Sequence, residues 1–146
     1  MAREITKVGL AVMNGDRLLL VKKKDSKFYI LPGGKPKHGE NDRETLSREL
    51  GEELGCGVAL DRLVFLGVFS DDAAGMPGFK VTIRLYAGAL LGTPSPRAEI
   101  DRVLWWTSTK YKEPRLAPSL RNSILPFLCD RAGTQRQKRK KPARFR

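Results

Sequence analysis

The sequence predicts an α+β fold, a mixed β-sheet with at least two helices packed on it. Three observations lead there. Apolar residues recur at period two in several stretches, with Phe79, Val81, Ile83, Leu85, Ala87 and Ala89 the cleanest run. One segment, Asn41 to Gly55, carries helix-start and helix-stop signals around leucines spaced four apart. A second set, Leu116, Leu120, Ile124 and Leu128, repeats that spacing near the C-terminus.

From Glu4 to Met13 the chain alternates, placing Val8, Leu10 and Val12 on one strand face. Asn14-Gly15 supplies residues that tolerate positive φ, as a type I′ turn requires. The run Leu18-Leu19-Leu20-Val21 within Arg17 to Lys24 reads as a buried strand, so the two segments are expected to pair as a hairpin. Leu31-Pro32-Gly33-Gly34 then opens a loop. At Asn41-Asp-Arg-Glu44 the spacing is that of a capping box, and the helix it starts ends at Gly55. Leu46, Leu50 and Leu54 form its core stripe, while Gly51 costs about 1 kcal/mol relative to alanine. Arg62 to Ser70 is a strand with Leu63 and Phe65 on one face and Val64, Leu66 and Val68 on the other. A loop over Asp71 to Gly78 precedes a strand from Phe79 to Leu91, and Ile100 to Thr107 is a further strand. The C-terminal helix has Pro118 near its start, with Pro126 placed to kink or shorten it.

A length of 146 residues is one ordinary domain, and 40% apolar with 30% charged residues permits a core and excludes wholesale disorder. The net charge of +12 is uneven. Arg131 to Arg146 holds eight basic residues and no acid, leaving 20 basic and 16 acidic groups in residues 1–130. We therefore divide the chain into a domain at 1–130 and a basic, flexible tail at 131–146. Such a tail is able to bind nucleic acid by counterion release, although a solubilising role is favoured. Cys56 and Cys129 form no CxxC pair, which excludes a cysteine zinc site and points to a reduced cytoplasmic compartment. No apolar run approaches the roughly 20 residues that cross a bilayer, so no membrane association is expected. Monomer and homodimer both remain open.

The chemistry concentrates on the predicted helix. At about 100° per residue, Glu49, Glu52 and Glu53 fall within an arc of about 100°, away from the leucine stripe. Such crowding of like charge is relieved by a divalent cation, and carboxylates without His or Cys suit Mg²⁺ or Mn²⁺ rather than zinc. A solvated acidic face is the alternative for these residues taken alone.

The spacing around them resembles the Nudix box, GX5EX7REUXEEXGU with U a bulky aliphatic. Gly34, Glu40, Arg48-Glu49-Leu50, Glu52-Glu53 and Gly55 occupy the fixed positions. Cys56, at the last aliphatic position, is the one departure, and it is a small hydrophobe able to pack there. The resemblance implies an α/β/α sandwich with a central mixed sheet and the box as loop-helix-loop. It also implies metal-dependent hydrolysis of a nucleoside diphosphate linked to another moiety. Carried over, Glu49, Glu52, Glu53 and Gly34 belong to the metal site, and Glu40 with Arg48 forms the supporting pair. The residue that activates water is Glu52, Glu53 or Glu99, the last reading equally well as a plain loop carboxylate.

Lys35 and Lys37 flank the box and are candidates for phosphate contact. Tyr29 either stacks on a base or packs in the core. The Tyr29-Ile-Leu-Pro-Gly-Gly34 lead-in looks MutT-like. It favours a nucleoside triphosphate, oxidised forms included, over ADP-ribose or another nucleotide sugar as substrate. A third reading, of a different class, is a nucleic-acid-binding protein that uses the domain as scaffold.

Overall fold

Helix and strand signals resolve into two four-stranded sheets held between two helices, with a separate two-stranded pair. The computed structural model describes residues 3–108 and 114–140. The first strands are β1 (Arg3–Ala11), β2 (Met13–Asn14), β3 (Arg17–Lys23), β4 (Tyr29–Ile30) and β5 (Gly33–Gly34). Helix α1 (Asp42–Leu54) follows, then β6 (Gly57–Val58) and a 3₁₀ turn at Leu60–Arg62. Next come β7 (Val64–Asp72), β8 (Phe79–Ala87), β9 (Leu90–Leu91) and β10 (Ile100–Trp106), and helix α2 (Leu125–Lys140) ends the described chain. One sheet runs β5-β1-β8-β7, with β1 and β8 parallel. In the other, β10 lines one edge of β3, and the short β2 and β4 line the opposite edge.

Both faces of this double layer are buried. Leu46, Leu50 and Leu54 of α1 pack on Val8, Leu10 and Val12, with Leu19, Val21 and Ile100 beside them. On the far side Leu120, Ile124 and Leu125 pack on Ala11, Leu18, Leu20 and Leu85. The run Leu18–Val21 thus supplies both cores by alternation, which is why it reads as one unbroken apolar stretch. Helix, sheets and helix stack as the expected α/β/α sandwich. Cys56 is buried in the first core, as its apolar position requires.

Several expectations need correction. The first hairpin is only two pairs long, Met13↔Leu18 and Asn14↔Arg17. Beyond Val12 the chain crosses between sheets, and β1 takes β8 as its partner instead. The turn is not type I′. Its central residues are Gly15 and Asp16, and of these only Gly15 has positive φ. In β7 the pairing jumps from Phe65↔Tyr86 to Gly67↔Leu85, so Leu66 is a bulge and the expected faces do not persist. Val64, Phe65 and Val68 end up exposed, while Leu66 and Phe69 pack against the second core. That strand also runs on through Asp72, into the expected loop. The strand expected over Phe79 to Leu91 stops at Ala87, and Leu90–Leu91 pairs separately with Gly57–Val58.

Pro126 does not shorten the last helix, which runs on to Lys140. The turn before it, Leu120–Ile124, is π-helical, and Leu125 N–H reaches back to Leu120 O. Widening this turn moves the carbonyls away from the proline ring, which has no N–H to offer them. The helical backbone continues to Lys140, across the boundary expected at 131, whereas residues 141–146 of the tail lie outside those described. Among the described residues no helix is long and apolar enough to cross a membrane.

Candidate metal centre and adjoining cavity

Helix α1 is fixed at both ends. Asn41 caps it by accepting from Glu44 N–H at 2.8 Å, and Glu44 returns a bond from Asn41 N–H at 3.2 Å. Next to the cap, Arg84 grips Asp42 with Nε and Nη2 at 2.7–3.1 Å, and Tyr86 donates its hydroxyl at 2.6 Å. The Arg84 hydrogen bonds hold the Asp42 carboxyl below its ordinary range, while burial pushes the Tyr86 phenol up to about 12. These residues pin the helix start to β8. Sequence reasoning missed them because Arg84 and Tyr86 look like ordinary members of an alternating strand. At the other end Gly55 adopts the left-handed conformation, φ 68°, and donates back to Gly51 O.

The loop before α1 is tied to it by Glu40 and Arg48. Arg48 Nε meets Glu40 Oε2 at 2.6 Å and Nη2 meets Oε1 at 2.9 Å, a two-point contact. Arg48 also donates to Lys35 O at 3.0 Å, and Glu40 accepts from Lys37 N–H at 2.7 Å and from Thr45. Chiefly through Arg48, the Glu40 carboxyl is held down at about 2. Glu40 and Arg48 thus clasp the loop at Lys35 and Lys37 to the helix. A side chain at Gly34 would push the Glu49 carboxylate aside, since a Cβ there would stand 2.6 Å from Glu49 Oε1.

Glu49, Glu53 and Glu99 converge, each offering a carboxylate oxygen within 4.8 Å of the others. Glu99 arrives from the loop before β10. Ser95 N–H donates to Leu54 O at 3.1 Å and Arg97 N–H to Glu53 O at 2.9 Å, which moors that loop to the end of α1. Ala98 takes a left-handed φ of 53° immediately before Glu99, the one non-glycine residue described that does so. Glu52, by contrast, stands outside the group. Its side chain is 50% exposed and 3.4 Å from Arg48 Nη1.

Glu53 is 1% exposed. Its Oε1 accepts from Gly33 N–H at 2.9 Å, and its Oε2 is buried without a partner. Burial pushes the Glu53 carboxyl up to about 8, with Glu49 and Glu99 adding repulsion against the Gly33 bond and Lys23. An orphaned buried oxygen among three hard carboxylates fits a divalent cation of the Mg²⁺ type. No imidazole joins them, since His38, the sole histidine, lies exposed in the loop before α1.

A cavity of about 490 Å³ adjoins this cluster at Gly33 and Gly34. Its walls are mostly apolar, from Ile5, Phe28, Leu120 and Ile124, and they carry Lys7, Lys23 and Lys27. Lys35 and Lys37, the lysines singled out by sequence, are exposed and do not line it. Nor does Tyr29, which packs against the second core and pairs with Leu116; its neighbour Phe28 lines the cavity instead. Lys7 carried no local signal, because a lysine in a strand ordinarily faces solvent.

The NUDIX domain profile matches residues 4–127. A Mycobacterium tuberculosis (strain CDC 1551 / Oshkosh) protein named "Putative 8-oxo-dGTP diphosphatase 2" is 45% identical over 80 residues, 55% of this chain and 53% of that protein. The chain spans about half the length of the curated relatives it matches. In fold it resembles the Escherichia coli ORF135 protein, with a TM-score of 0.69 and 21% identity over 98% of this chain and 96% of that one. A MutT NUDIX hydrolase from Burkholderia pseudomallei superposes at 0.67, with 22% identity over 81% and 94% of the two chains.

Proposed function

The chain belongs to the NUDIX domain family, and from that premise we propose that it hydrolyses a diphosphate linkage within a nucleotide. The substrate we assign is a nucleoside triphosphate, oxidised forms included, cleaved to nucleotide monophosphate and pyrophosphate. The observation that carries this reading is the convergence of Glu49, Glu53 and Glu99 beside Gly33–Gly34, at the mouth of a lysine-bearing cavity.

Glu49, Glu53 and Glu99 would hold Mg²⁺, or Mn²⁺ in its place. Glu52 is available from the exposed side of the same helix. A divalent ion there supplies charge neutralisation of the diphosphate and acidification of the attacking water. Arg48 and Glu40 keep the helix and its leading loop in register. A carboxylate of Glu52, Glu53 or Glu99 accepts the water proton. Gly34, which has no Cβ, would let the backbone lie against the diphosphate. Lys35, Lys37 and Tyr29 have less support as substrate contacts than the lysines of the cavity wall.

We assign this activity to residues 1–130, with the basic segment from 131 onward as an appendage and the reduced cytoplasm as its setting. Cys56 and Cys129 are both unpaired thiols, which agrees with that setting. The test is a product-resolved screen of nucleoside triphosphates, oxidised triphosphates, ADP-ribose and dinucleoside polyphosphates, each with and without Mg²⁺. Pyrophosphate release is expected, and two phosphomonoesters would instead assign a nucleotide sugar. Glu53→Gln and Glu52→Gln are each expected to lower turnover by orders of magnitude with the fold intact. Near-normal turnover in both would remove the site assignment.

A further inference from the structure

Alternation along β1 sends Val8 and Leu10 to the core under α1 and leaves Ile5, Lys7, Gly9 and Ala11 on the other side. That side faces the cavity. The parallel neighbour β8 sets Val81 beside Ile5 and Ile83 beside Lys7, and both line the same wall. A lysine therefore stands in the middle of an apolar surface. It is half-buried, and among the described residues its ammonium makes no hydrogen bond and no ion pair. Burial lowers its pKa, and nearby Lys23 lowers it further, against the attraction of Glu53 and Glu49.

An ammonium beside apolar side chains, with only the longer-range attraction of Glu53 and Glu49 and no direct partner, is costly, and a valine or threonine would serve the strand better. The cost is offset if the ligand brings the anion. Position indicates which anion. Val8 pairs with Gly34, so Lys7 lies one residue beyond the point where the backbone abuts Glu49. A ligand with its diphosphate at the carboxylates and its nucleoside among Phe28, Leu120 and Ile124 passes Lys7 at the junction between them. Lysine offers three donors and no acceptor, and of the groups on such a ligand the anionic phosphate oxygens make the stronger, charge-assisted partners.

We propose that Lys7 is a specificity-determining residue that holds the phosphate next to the nucleoside, so that the cavity selects nucleotides over nucleosides independently of the metal. This rests on the nucleotide-hydrolase reading and extends it to a residue outside the box. Full-length wild type, Lys7→Met and Lys7→Arg are titrated in EDTA with dGMP, dAMP and the corresponding deoxynucleosides. Wild type binds at least one monophosphate roughly 10- to 100-fold tighter than its nucleoside, the range of a hydrogen bond between charged groups. Lys7→Met abolishes that preference without changing nucleoside affinity, and Lys7→Arg retains most of it. With Mg²⁺ and the triphosphate, Lys7→Met raises KM by a similar factor and leaves kcat within about threefold.

Equal monophosphate affinity and KM in wild type and Lys7→Met overturn the proposal while leaving the hydrolase reading intact. So does a changed melting temperature with neither affinity moved, since that assigns Lys7 to packing. A wild type that hydrolyses no nucleotide overturns both.

Discussion

Replacing Glu53 by glutamine separates the electrostatic argument from catalysis, because it is read in protein stripped of metal. The substitution keeps the side-chain shape and leaves an oxygen to accept from Gly33 N–H. What it removes is an ionisable group whose pKa rises from 4.5 in a free chain to about 8 in the folded protein. Between those values the folded state keeps a proton that the unfolded state has lost. Stability must therefore fall as pH rises, by about 1.4 kcal/mol per pH unit, until it levels near pH 8. From about pH 5 to 7 this amounts to about 3 kcal/mol, within a total of at most about 5 kcal/mol over the full interval. Urea denaturation in EDTA at pH 5, 6, 7 and 8 measures it. The stability of Glu53→Gln relative to wild type should climb over that range, since other titrating groups cancel in the difference. Adding Mg²⁺ at pH 8 should restore wild type and do little for the variant. If the difference between the two proteins stays constant from pH 5 to 7, Glu53 is not held protonated by its surroundings. The case for an uncompensated carboxylate awaiting a cation then collapses.

Gly34→Ala should displace the Glu49 carboxylate and weaken Mn²⁺ binding about 10- to 100-fold, checked by calorimetric titration. Gly51 is exposed in the interior of α1, with nothing within 4 Å of the place an alanine methyl would occupy. Gly51→Ala should therefore stabilise by about 1 kcal/mol and leave turnover within about twofold. Thermal melts and steady-state rates measure both effects. Asp42→Ala removes the acceptor for Arg84 and Tyr86 and should cost about 1–3 kcal/mol in urea denaturation, at little cost to cation affinity.

Helix α1 was legible in full because its instructions are local. Asn41, Glu44, the leucines and Gly55 all act within one or two turns of each other. The three-dimensional site was legible only in part. Glu49 and Glu53 share that helix, but Glu99 is delivered by a loop whose course depends on Ala98 and on carbonyls at the far end of α1. Long-range pairing was the harder matter. Asn14-Gly15 announces a hairpin, yet the nine-residue partnership of β1 is with β8, more than seventy residues away. No local turn chemistry encodes that choice. It also decides that Lys7 faces the cavity. Likewise the bulge at Leu66 overrides the alternation of its strand, because one extra residue reverses every face beyond it.

That bulge bears on how the molecule keeps its own company. β7 is the outer strand of its sheet, and Val64, Phe65 and Val68 lie exposed along it. A straight apolar edge of nine residues would be a template on which a second copy, or an unfolded one, adds a strand. Leu66 divides the edge into a two-residue stub and a longer piece that ends in Ser70, Asp71 and Asp72, with Asn122 of the π-helical turn bonded to Asp71 at 2.9 Å. An incoming strand finds no uninterrupted ladder through the apolar part and meets charge at the far end of the resumed ladder. Deleting Leu66 would straighten the strand, and with it open a route to sheet-by-sheet aggregation.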